Sequence, residues 1–183
     1  MSTGPDALRA MRVGEVVPRL READVERCWE RAYRFAAMVT RNGQDADDIA
    51  QEALLRAIRK LSRFDPSKGT FESWLWRIVL NVARDAGRAS MRRASLLERL
   101  RREPGAERAE AAEAVVLARL TDTRLLEAVR GLRKKPRTLI ALRFGARLSY
   151  KEIGAQLGIS EGAAAQATRR AILLLGARLK EEG

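Results

Sequence analysis

Apolar side chains recur every three or four residues through several separate stretches of the chain, which is the periodicity of amphipathic helices. One stretch runs from about Ala23 to Thr40, a second from Asp45 to about Leu61, and a third from Thr70 to about Arg93. Asn42-Gly43 and the turn Asp65-Pro66-Ser67-Lys68-Gly69 separate them. Because no segment sustains the alternation of a strand, the pattern predicts an all-α fold.

Large apolar residues become sparse from Ala94 to Leu120, where alanine, glutamate and arginine surround Pro104-Gly105. This composition predicts a flexible linker between two small helical domains. The domains would cover residues 23–93 and 121–183. They would follow an extension over residues 1–22, for which the sequence indicates no role.

The segment LSYKEIGAQLGISEGAAAQATRRAILLL, from Leu148 to Leu175, predicts two short helices joined by a tight turn. Ser149 can cap the first helix, and Glu152 can reach back to the Ser149 amide. Gly158 stands where that helix must end in a left-handed conformation, and Ser160 can cap the second helix. This pattern is typical of a helix-turn-helix, whose second helix usually enters the major groove of DNA. An ordinary helical hairpin is the alternative that the local pattern leaves open.

Positive charge strengthens the DNA-binding interpretation. The chain has 183 residues, with 36 lysines and arginines against 24 acidic residues, a formal net charge of +12. Six basic residues oppose two acidic ones over residues 66–93, and eight oppose two over residues 121–150. Such blocks favour a polyanionic partner, because neutralising phosphates releases counterions. A solvated cationic surface without a specific partner is the alternative.

The sequence also disfavours several classes of function. It has no histidine and a single cysteine, Cys28, so a zinc site, histidine-based catalysis and an intrachain disulfide are not expected. The N-terminus lacks the apolar core of a signal peptide, and the chain has no apolar run of about eighteen residues. We therefore expect a cytoplasmic protein that is not an enzyme, with no metal, cofactor or membrane insertion.

The segment DADDIAQEALLRAIRKL, from Asp45 to Leu61, begins acidic and ends basic, which suits the helix macrodipole without requiring any function. Its spacing predicts a buried face formed by Ile49, Ala53, Leu54, Ala57, Ile58 and Leu61. The outward face would then consist of Asp48, Gln51, Glu52, Leu55, Arg56 and Arg59.

The next helix, TFESWLWRIVLNVARDAGRASMRR, combines two neighbouring tryptophans, an amide and several arginines. Arginine binds phosphate, aromatic rings stack on bases and an amide reads a base edge, so this set favours binding of single-stranded nucleic acid. The alternative is that both tryptophans belong to the core and the arginines only solubilise the helix. With Trp74 and Ile78 inward, the other faces would carry Trp76, Arg77, Leu80, Asn81, Arg84 and Arg88.

Two long patterns carry a family resemblance. DADDIAQEALLRAIRKLSRFDPSKGTFESWLWRIVLNVARDAGR resembles the second region of bacterial sigma factors of the extracytoplasmic-function group, and LIALRFGARLSYKEIGAQLGISEGAAAQATRRA resembles the fourth. The resemblance covers roughly residues 24–93 and 123–180. It implies a factor that binds core RNA polymerase, recognises promoter DNA and promotes strand opening. It also allows an anti-sigma factor or an activator as a partner.

The resemblance implies roles for individual residues. The helix matching Asp45–Leu61 would dock on a coiled coil of the largest polymerase subunit through Asp48, Gln51, Glu52, Leu55 and Arg56. The loop matching Phe64 to Thr70 would hold a base flipped from the promoter −10 element, and Asn81 would help to line that pocket. The full set of −10 contacts would be Phe64, Lys68, Trp76, Arg77, Asn81, Arg84, Arg88, Arg92 and Arg93. The fourth region would contact the polymerase flap and the −35 element, the latter through Lys151, Ser160, Glu161, Gln166, Arg169 and Arg170.

The chain departs from the family in its recognition helix, where members usually read Ser-x-Gly-Thr-Val-Lys-x-Arg. Here Ala165 stands at the usual lysine position and Ala167 at a usual arginine position. Alanine offers only apolar contact to a thymine methyl, so weak readout of the −35 element is expected. Support would come from phosphate contacts made by Arg133, Lys134, Lys135, Arg137 and Arg147.

Two other functions stay open on the sequence alone. One is a stand-alone helix-turn-helix regulator that binds duplex DNA as a dimer without polymerase. The other is a sigma-like protein whose fourth region acts mainly in protein–protein contact.

Overall fold

A computed structural model describes residues 22–40, 43–100 and 123–181, and all regular secondary structure in these ranges is helical, which confirms the all-α prediction. The N-terminal unit contains α1 (Glu22–Val39), α2 (Gly43–Arg59), two 3₁₀ turns (Leu61–Arg63 and Pro66–Lys68) and α3 (Phe71–Leu100). The C-terminal unit contains α4 (Thr123–Gly131), α5 (Lys134–Ile140), a π-helical turn (Ala141–Gly145), α6 (Tyr150–Leu157) and α7 (Glu161–Glu181).

Two predicted segments fall largely outside these ranges. The extension over residues 1–22 lies outside the described residues except for its last residue, which begins α1. The predicted linker is described only over residues 94–100, where α3 continues as helix beyond its predicted end near Arg93. Within the described ranges, no helix has the length and apolar character needed to cross a bilayer.

The predicted helix-turn-helix is present in α6 and α7. The Ser149 hydroxyl accepts a hydrogen bond from the Glu152 amide at 3.2 Å, and the Glu152 carboxylate accepts one from the Ser149 amide at 2.7 Å. This reciprocal capping box starts α6, and Gly158, with a φ of 70°, ends it in the left-handed conformation. The Ser160 hydroxyl then accepts a hydrogen bond from the Ala163 amide at 3.2 Å and begins α7.

Helices α1 and α2 pack through small side chains, which let two helix backbones approach closely. In α2 the alanine face points toward the core, so part of the wider apolar stripe that the sequence predicted to be buried points toward solvent. The prediction that Ile58 is buried is wrong, since 65% of it is exposed. Leu54 and Leu61 are only partly buried. The buried alanines are Ala32, Ala36 and Ala37 on α1 and Ala46, Ala50, Ala53 and Ala57 on α2.

Helix α3 is rotated relative to the prediction, since Trp76 and Leu80 point inward and are only 2% and 4% exposed. The Trp76 ring meets the Phe35 ring edge to face, with centroids 5.8 Å apart, and the Arg31 guanidinium lies 5.6 Å from the Trp76 centroid. Trp74 is only partly buried. The outward placement expected of Trp76 and Leu80 is therefore wrong, because Phe35 and Arg31 on α1 receive the Trp76 ring and this side of α3 faces the core.

The N-terminal and C-terminal units lie in direct contact, although the sequence predicted two domains separated by a linker. Helix α1 packs against the π-helical turn, α4 and α5, and the start of α3 packs against α6. The Arg31 Nε donates to the Ala146 carbonyl at 2.7 Å, and the Gln156 Nε2 donates to the Ser73 carbonyl at 2.8 Å. Buried side chains from both units consequently join in one hydrophobic cluster.

Candidate nucleic-acid interface

One face of α3 is exposed and strongly basic. Arg77, Asn81, Arg84 and Arg88 recur every three or four residues, so they line one side of the helix, and all four are exposed. We call this set the basic face. Among the described residues, none of its three arginines takes part in an ion pair. Uncompensated positive charge in a row along a helix is suited to following a phosphate backbone.

Asn81 lies inside this arginine row, one turn from both Arg77 and Arg84. Its amide can donate and accept at once, as the edge of a base requires, whereas the flanking guanidinium groups only donate. The structure therefore brings together four of the predicted −10 residues on one surface. Arg92 continues the face by one further turn, and Arg93 is exposed to one side of it.

The loop before α3 is held by Asp65. The Asp65 carboxylate accepts from the Ser67 amide at 3.0 Å and from the Ser67 hydroxyl at 2.7 Å. These hydrogen bonds, with help from Lys68 at 3.4 Å, hold the pKa of Asp65 below its ordinary value. Lys68 itself extends into solvent, with 78% of its side chain exposed. The loop thus presents Lys68 to solvent on a turn that Asp65 fixes, just before α3 begins.

Two aromatic residues predicted to touch DNA lie beneath this surface. Phe64 is 3% exposed and packs against Phe71 and Trp74, with ring centroids 5.7 and 5.5 Å away. Trp76 is buried against α1, as described above. In this conformation neither ring can stack on a base. Both support the loop and helix from below, which the sequence could not reveal because aromatic rings suit a core and a stacking surface equally well.

The outer surface of the helix-turn-helix carries few groups that could read bases. Gln166, Arg169 and Arg170 are exposed on α7, whereas the alanines at 165 and 167 are half-buried. The opposite side of α7 packs into the unit through Ala164, Thr168 and Ala171. Of the remaining predicted contacts, Ser160 and Glu161 are exposed at the start of α7, and Lys151 is exposed in the first turn of α6.

Exposed cations also surround the helix-turn-helix. Arg133, Lys134 and Lys135 are exposed at the start of α5, and Arg147 is exposed with a positive φ of 56°. Arg137 is partly buried and donates to the Arg130 carbonyl at 3.0 Å. The arrangement favours contacts with phosphates over contacts with base edges.

Helix α2 presents a different surface, which is apolar at its centre and acidic at one end. Leu55 and Ile58 are 53% and 65% exposed, and Asp48 and Gln51 are exposed one or two turns earlier. We call these four residues the docking face. Sequence reasoning missed Ile58, although the competing alanine stripe was a visible signal. Exposed apolar side chains in the middle of a helix face indicate a protein partner.

Glu52 and Arg56, beside the docking face, form ion pairs within the protein. Arg56 contacts Glu52 at 2.6 Å and reaches Asp85 on α3 at 3.4 Å, and Arg59 contacts Glu52 at 3.3 Å. The hydrogen bond from Arg56 is the main cause that lowers the pKa of Glu52. These two predicted contacts therefore also join α2 to α3.

The capping box yields a stability prediction. Replacing Ser149 with alanine should lower the free energy of unfolding by about 1 kcal/mol at neutral pH, because the first turn of α6 loses its cap. Urea unfolding followed by circular dichroism would measure this. Ser90→Ala, on an exposed position of α3, is the control and should leave stability unchanged or slightly raised.

The loss of stability caused by Ser149→Ala should depend on pH. Burial alone would raise the pKa of Glu152, but hydrogen bonds from Ser149 and the charge of Arg31 outweigh it and lower that pKa. Ionised Glu152 therefore stabilises the fold above its unfolded pKa, and the contribution disappears as pH falls through the lowered native value. A Ser149→Ala effect that stays constant through this acid range would contradict the reciprocal cap.

Comparison with known proteins identifies both units. Residues 25–93 match the family model described as Sigma-70 region 2, and residues 122–175 match the one described as Sigma-70, region 4. The ECF RNA polymerase sigma factor SigE of Mycolicibacterium smegmatis is 36% identical over 135 residues, which are 73% of this chain and 51% of SigE. SigD of Mycobacterium tuberculosis, another ECF RNA polymerase sigma factor, is 34% identical over 169 residues, or 92% of this chain and 75% of SigD. The chain thus spans about half the length of SigE.

A solved structure shares the fold. The sigma factor RpoE, in its complex with the anti-sigma factor NepR from Bartonella quintana, superposes with a TM-score of 0.65. The match covers 87% of this chain and 96% of RpoE, at 21% sequence identity.

Proposed function

The chain belongs to the extracytoplasmic-function sigma factors of the sigma-70 family, and on this premise we propose that it starts transcription by binding core RNA polymerase, recognising promoter DNA and promoting strand opening. One observation carries the proposal: a basic face and a separate apolar docking face lie on adjacent helices, α3 and α2, of one packed unit. A polymerase and a DNA strand could therefore be held at the same time.

We assign residues 23–93 to polymerase binding and the −10 element, and residues 121–183 to the flap and the −35 element. The family matches over 25–93 and 122–175 support this division. Residues 94–120 connect the two units, and residues 1–22 receive no function.

Polymerase binding is assigned to the docking face. Leu55 and Ile58 would pack on the coiled coil of the largest subunit, and Asp48 and Gln51 would make polar contacts at its rim. Arg56 would also hold α2 against α3 through its contact with Asp85, and Glu52 would contribute by its contact with Arg56.

Strand capture is assigned to the basic face and the Asp65 loop. Flipping a base out of the duplex costs a few kcal/mol, so pocket contacts must offset that cost. Asn81 and Lys68 would contact the flipped base or its phosphate, and the arginines would hold the backbone on either side. Phe64 and Trp76 would act by supporting this surface from below.

The C-terminal unit is assigned to duplex DNA through its exposed cations and Gln166. A second role in protein contact is favoured by one observation: Ile172, Leu173 and Leu174 are 40%, 69% and 53% exposed on α7. The polymerase flap, an activator or an anti-sigma factor could cover some of these apolar side chains. A stand-alone dimeric regulator has no comparable support.

The chain would perform no covalent chemistry, because binding of polymerase and capture of a strand suffice to favour the open promoter. It would act in the cytoplasm, where polymerase and chromosome meet. A pull-down with purified bacterial core polymerase tests the proposal directly. Failure of the intact chain to bind core polymerase would contradict it.

Replacing Leu55 with alanine should weaken core-polymerase binding by roughly tenfold, since burying a leucine contributes about 1.5–3 kcal/mol and part of that is lost. Fluorescence anisotropy of labelled chain against core polymerase measures the change. Met91→Ala removes a side chain of similar exposure, 61%, from α3 and should bind like wild type. Equal affinities for the two variants would place the docking surface elsewhere.

A further inference from the structure

A cavity of about 270 Å³ lies between α1 and α3. Its apolar lining consists of the buried side chains of Leu75, Trp76 and Val79 and the half-buried side chains of Cys28 and Phe71. Two of these five side chains are aromatic. The volume equals that of about nine water molecules in the liquid, so the cavity can hold an organic molecule of one or two rings.

Three charged side chains complete the lining of the cavity. Arg27 and Arg31 lie one turn apart on α1, and Glu72 lies in the first turn of α3. The Arg31 Nη1 contacts the Glu72 carboxylate at 2.5 Å, and the Arg31 Nε donates to the Ala146 carbonyl at 2.7 Å. Two guanidinium groups and one carboxylate leave a formal charge of +1 in the lining, which favours an anionic group in a ligand.

The cavity is separate from the two surfaces that the proposed function uses. Leu75 and Val79 lie one turn apart on α3, and Arg77 of the basic face is turned about 200° around the helix from each of them. The docking face on α2 contributes no side chain to the lining. A molecule in the cavity would therefore occupy neither the basic face nor the docking face.

We propose that this cavity binds a small aromatic carboxylic acid. The carboxylate lies against the guanidinium groups of Arg27 and Arg31, because guanidinium forms strong, often bidentate hydrogen bonds with carboxylates. The ring lies against Phe71 and Trp76, since contacts between aromatic rings add to the gain from burying apolar area. A rigid ring also loses less conformational freedom on binding than a flexible fatty acid does. The proposal goes beyond the function assigned above and does not depend on it.

Isothermal titration calorimetry of the full chain with indole-3-acetate tests the proposal. We expect one site per chain with a Kd of roughly 0.02–1 mM, as suits a ligand of about 13 non-hydrogen atoms. Tryptamine carries the same ring with a positive charge, and acetate carries the carboxylate without a ring. Both should bind at least about tenfold more weakly. Equal affinities for indole-3-acetate and tryptamine would overturn the proposal. Absence of saturable indole-3-acetate binding up to about 5 mM would also overturn it, and would favour a protein side chain as the occupant.

Cys28 reports whether the probe occupies this cavity, because it belongs to the lining and is the only cysteine in the sequence. Indole-3-acetate at about 2 mM should slow alkylation of Cys28 by N-ethylmaleimide roughly threefold or more, since a bound probe covers the thiol. Tryptamine at the same concentration should leave the rate nearly unchanged. Mass spectrometry of the full chain measures both rates. Calorimetric binding without protection of Cys28 would place the probe elsewhere and overturn the proposal.

Replacing Arg27 with glutamine should weaken indole-3-acetate binding by about tenfold, because a hydrogen bond to a charged group is lost. Arg27 is exposed, so the variant should fold like the wild type. Arg34→Gln is the matched control, because it removes the same charge from α1 at a position outside the cavity lining. It should bind the probe within about twofold of the wild type. Equal affinities of the two variants would overturn the proposal, whereas failure of the chain to bind polymerase would leave it standing.

Discussion

Replacing Arg84 and Arg88 together with glutamine is expected to weaken binding of the polymerase-bound chain to a pre-melted promoter fragment by roughly 30- to 100-fold. Both side chains are exposed on the basic face, and neither has an ion-pair partner among the described residues. Each phosphate contact that is lost removes one charge neutralisation and its counterion release. Glutamine keeps the length and polarity of the side chain, so α3 should remain folded.

Salt titration distinguishes this mechanism from a general loss of structure. The slope of log affinity against log salt should become shallower by about 1.5, because two of the phosphate contacts are gone. Arg27→Gln with Arg34→Gln removes the same charge from α1 and is the matched control, with binding expected to stay within about twofold. Equal losses in both double variants would mean that net charge, and not the basic face, attracts DNA.

Replacing Gly154 with alanine is expected to lower the free energy of unfolding by about 3 kcal/mol, at the upper end of the usual cost of overpacking. A Cβ at this position would lie 2.6 Å from the Ile159 carbonyl oxygen and 3.3 Å from the Ser160 carbonyl carbon. Both neighbours are backbone atoms of the turn between α6 and α7. They cannot move without disturbing the hydrogen bond from the Ile159 amide to the Gly154 carbonyl, at 3.0 Å.

Thermal unfolding measures this effect, with a melting temperature expected to fall by about 6–12 °C for a chain of this size. Gly162→Ala is the control within the same motif, because a Cβ there meets nothing within 4 Å and alanine favours the helix. It should keep or slightly raise the melting temperature. If the Gly154→Ala and Gly162→Ala proteins had the same melting temperature, the backbone between α6 and α7 would accommodate the added methyl group, contrary to this prediction.

The helix-turn-helix was the part of the fold most open to prediction. Ser149, Glu152 and Gly158 form hydrogen bonds with groups no more than four residues away. Their spacing therefore predicts where α6 begins and ends. The basic face was equally visible, since Arg77, Asn81, Arg84 and Arg88 share a helix side in any packing. Neither prediction required knowledge of a distant neighbour.

Predictions about burial were less successful where two faces of one helix were both apolar. Helix α2 has one face of alanines and another of leucine and isoleucine. The alanine face is buried because α1 also presents alanines, and two such faces pack closely. Ile58 therefore points to solvent, where it joins Leu55 on the docking face. Trp76 is buried because Phe35 and Arg31 receive its ring, and both residues come from another helix.

The sequence alone determined the helices, their caps, the rows of charge and the family, because each depends on residues a few positions apart or on a pattern repeated along the chain. Tertiary structure alone decided which faces are buried and that the two units touch. The Arg31 contact shows why: it joins residues 115 positions apart, and its acceptor is a backbone carbonyl. Every residue carries such a carbonyl, so no pattern of side chains could single out Ala146.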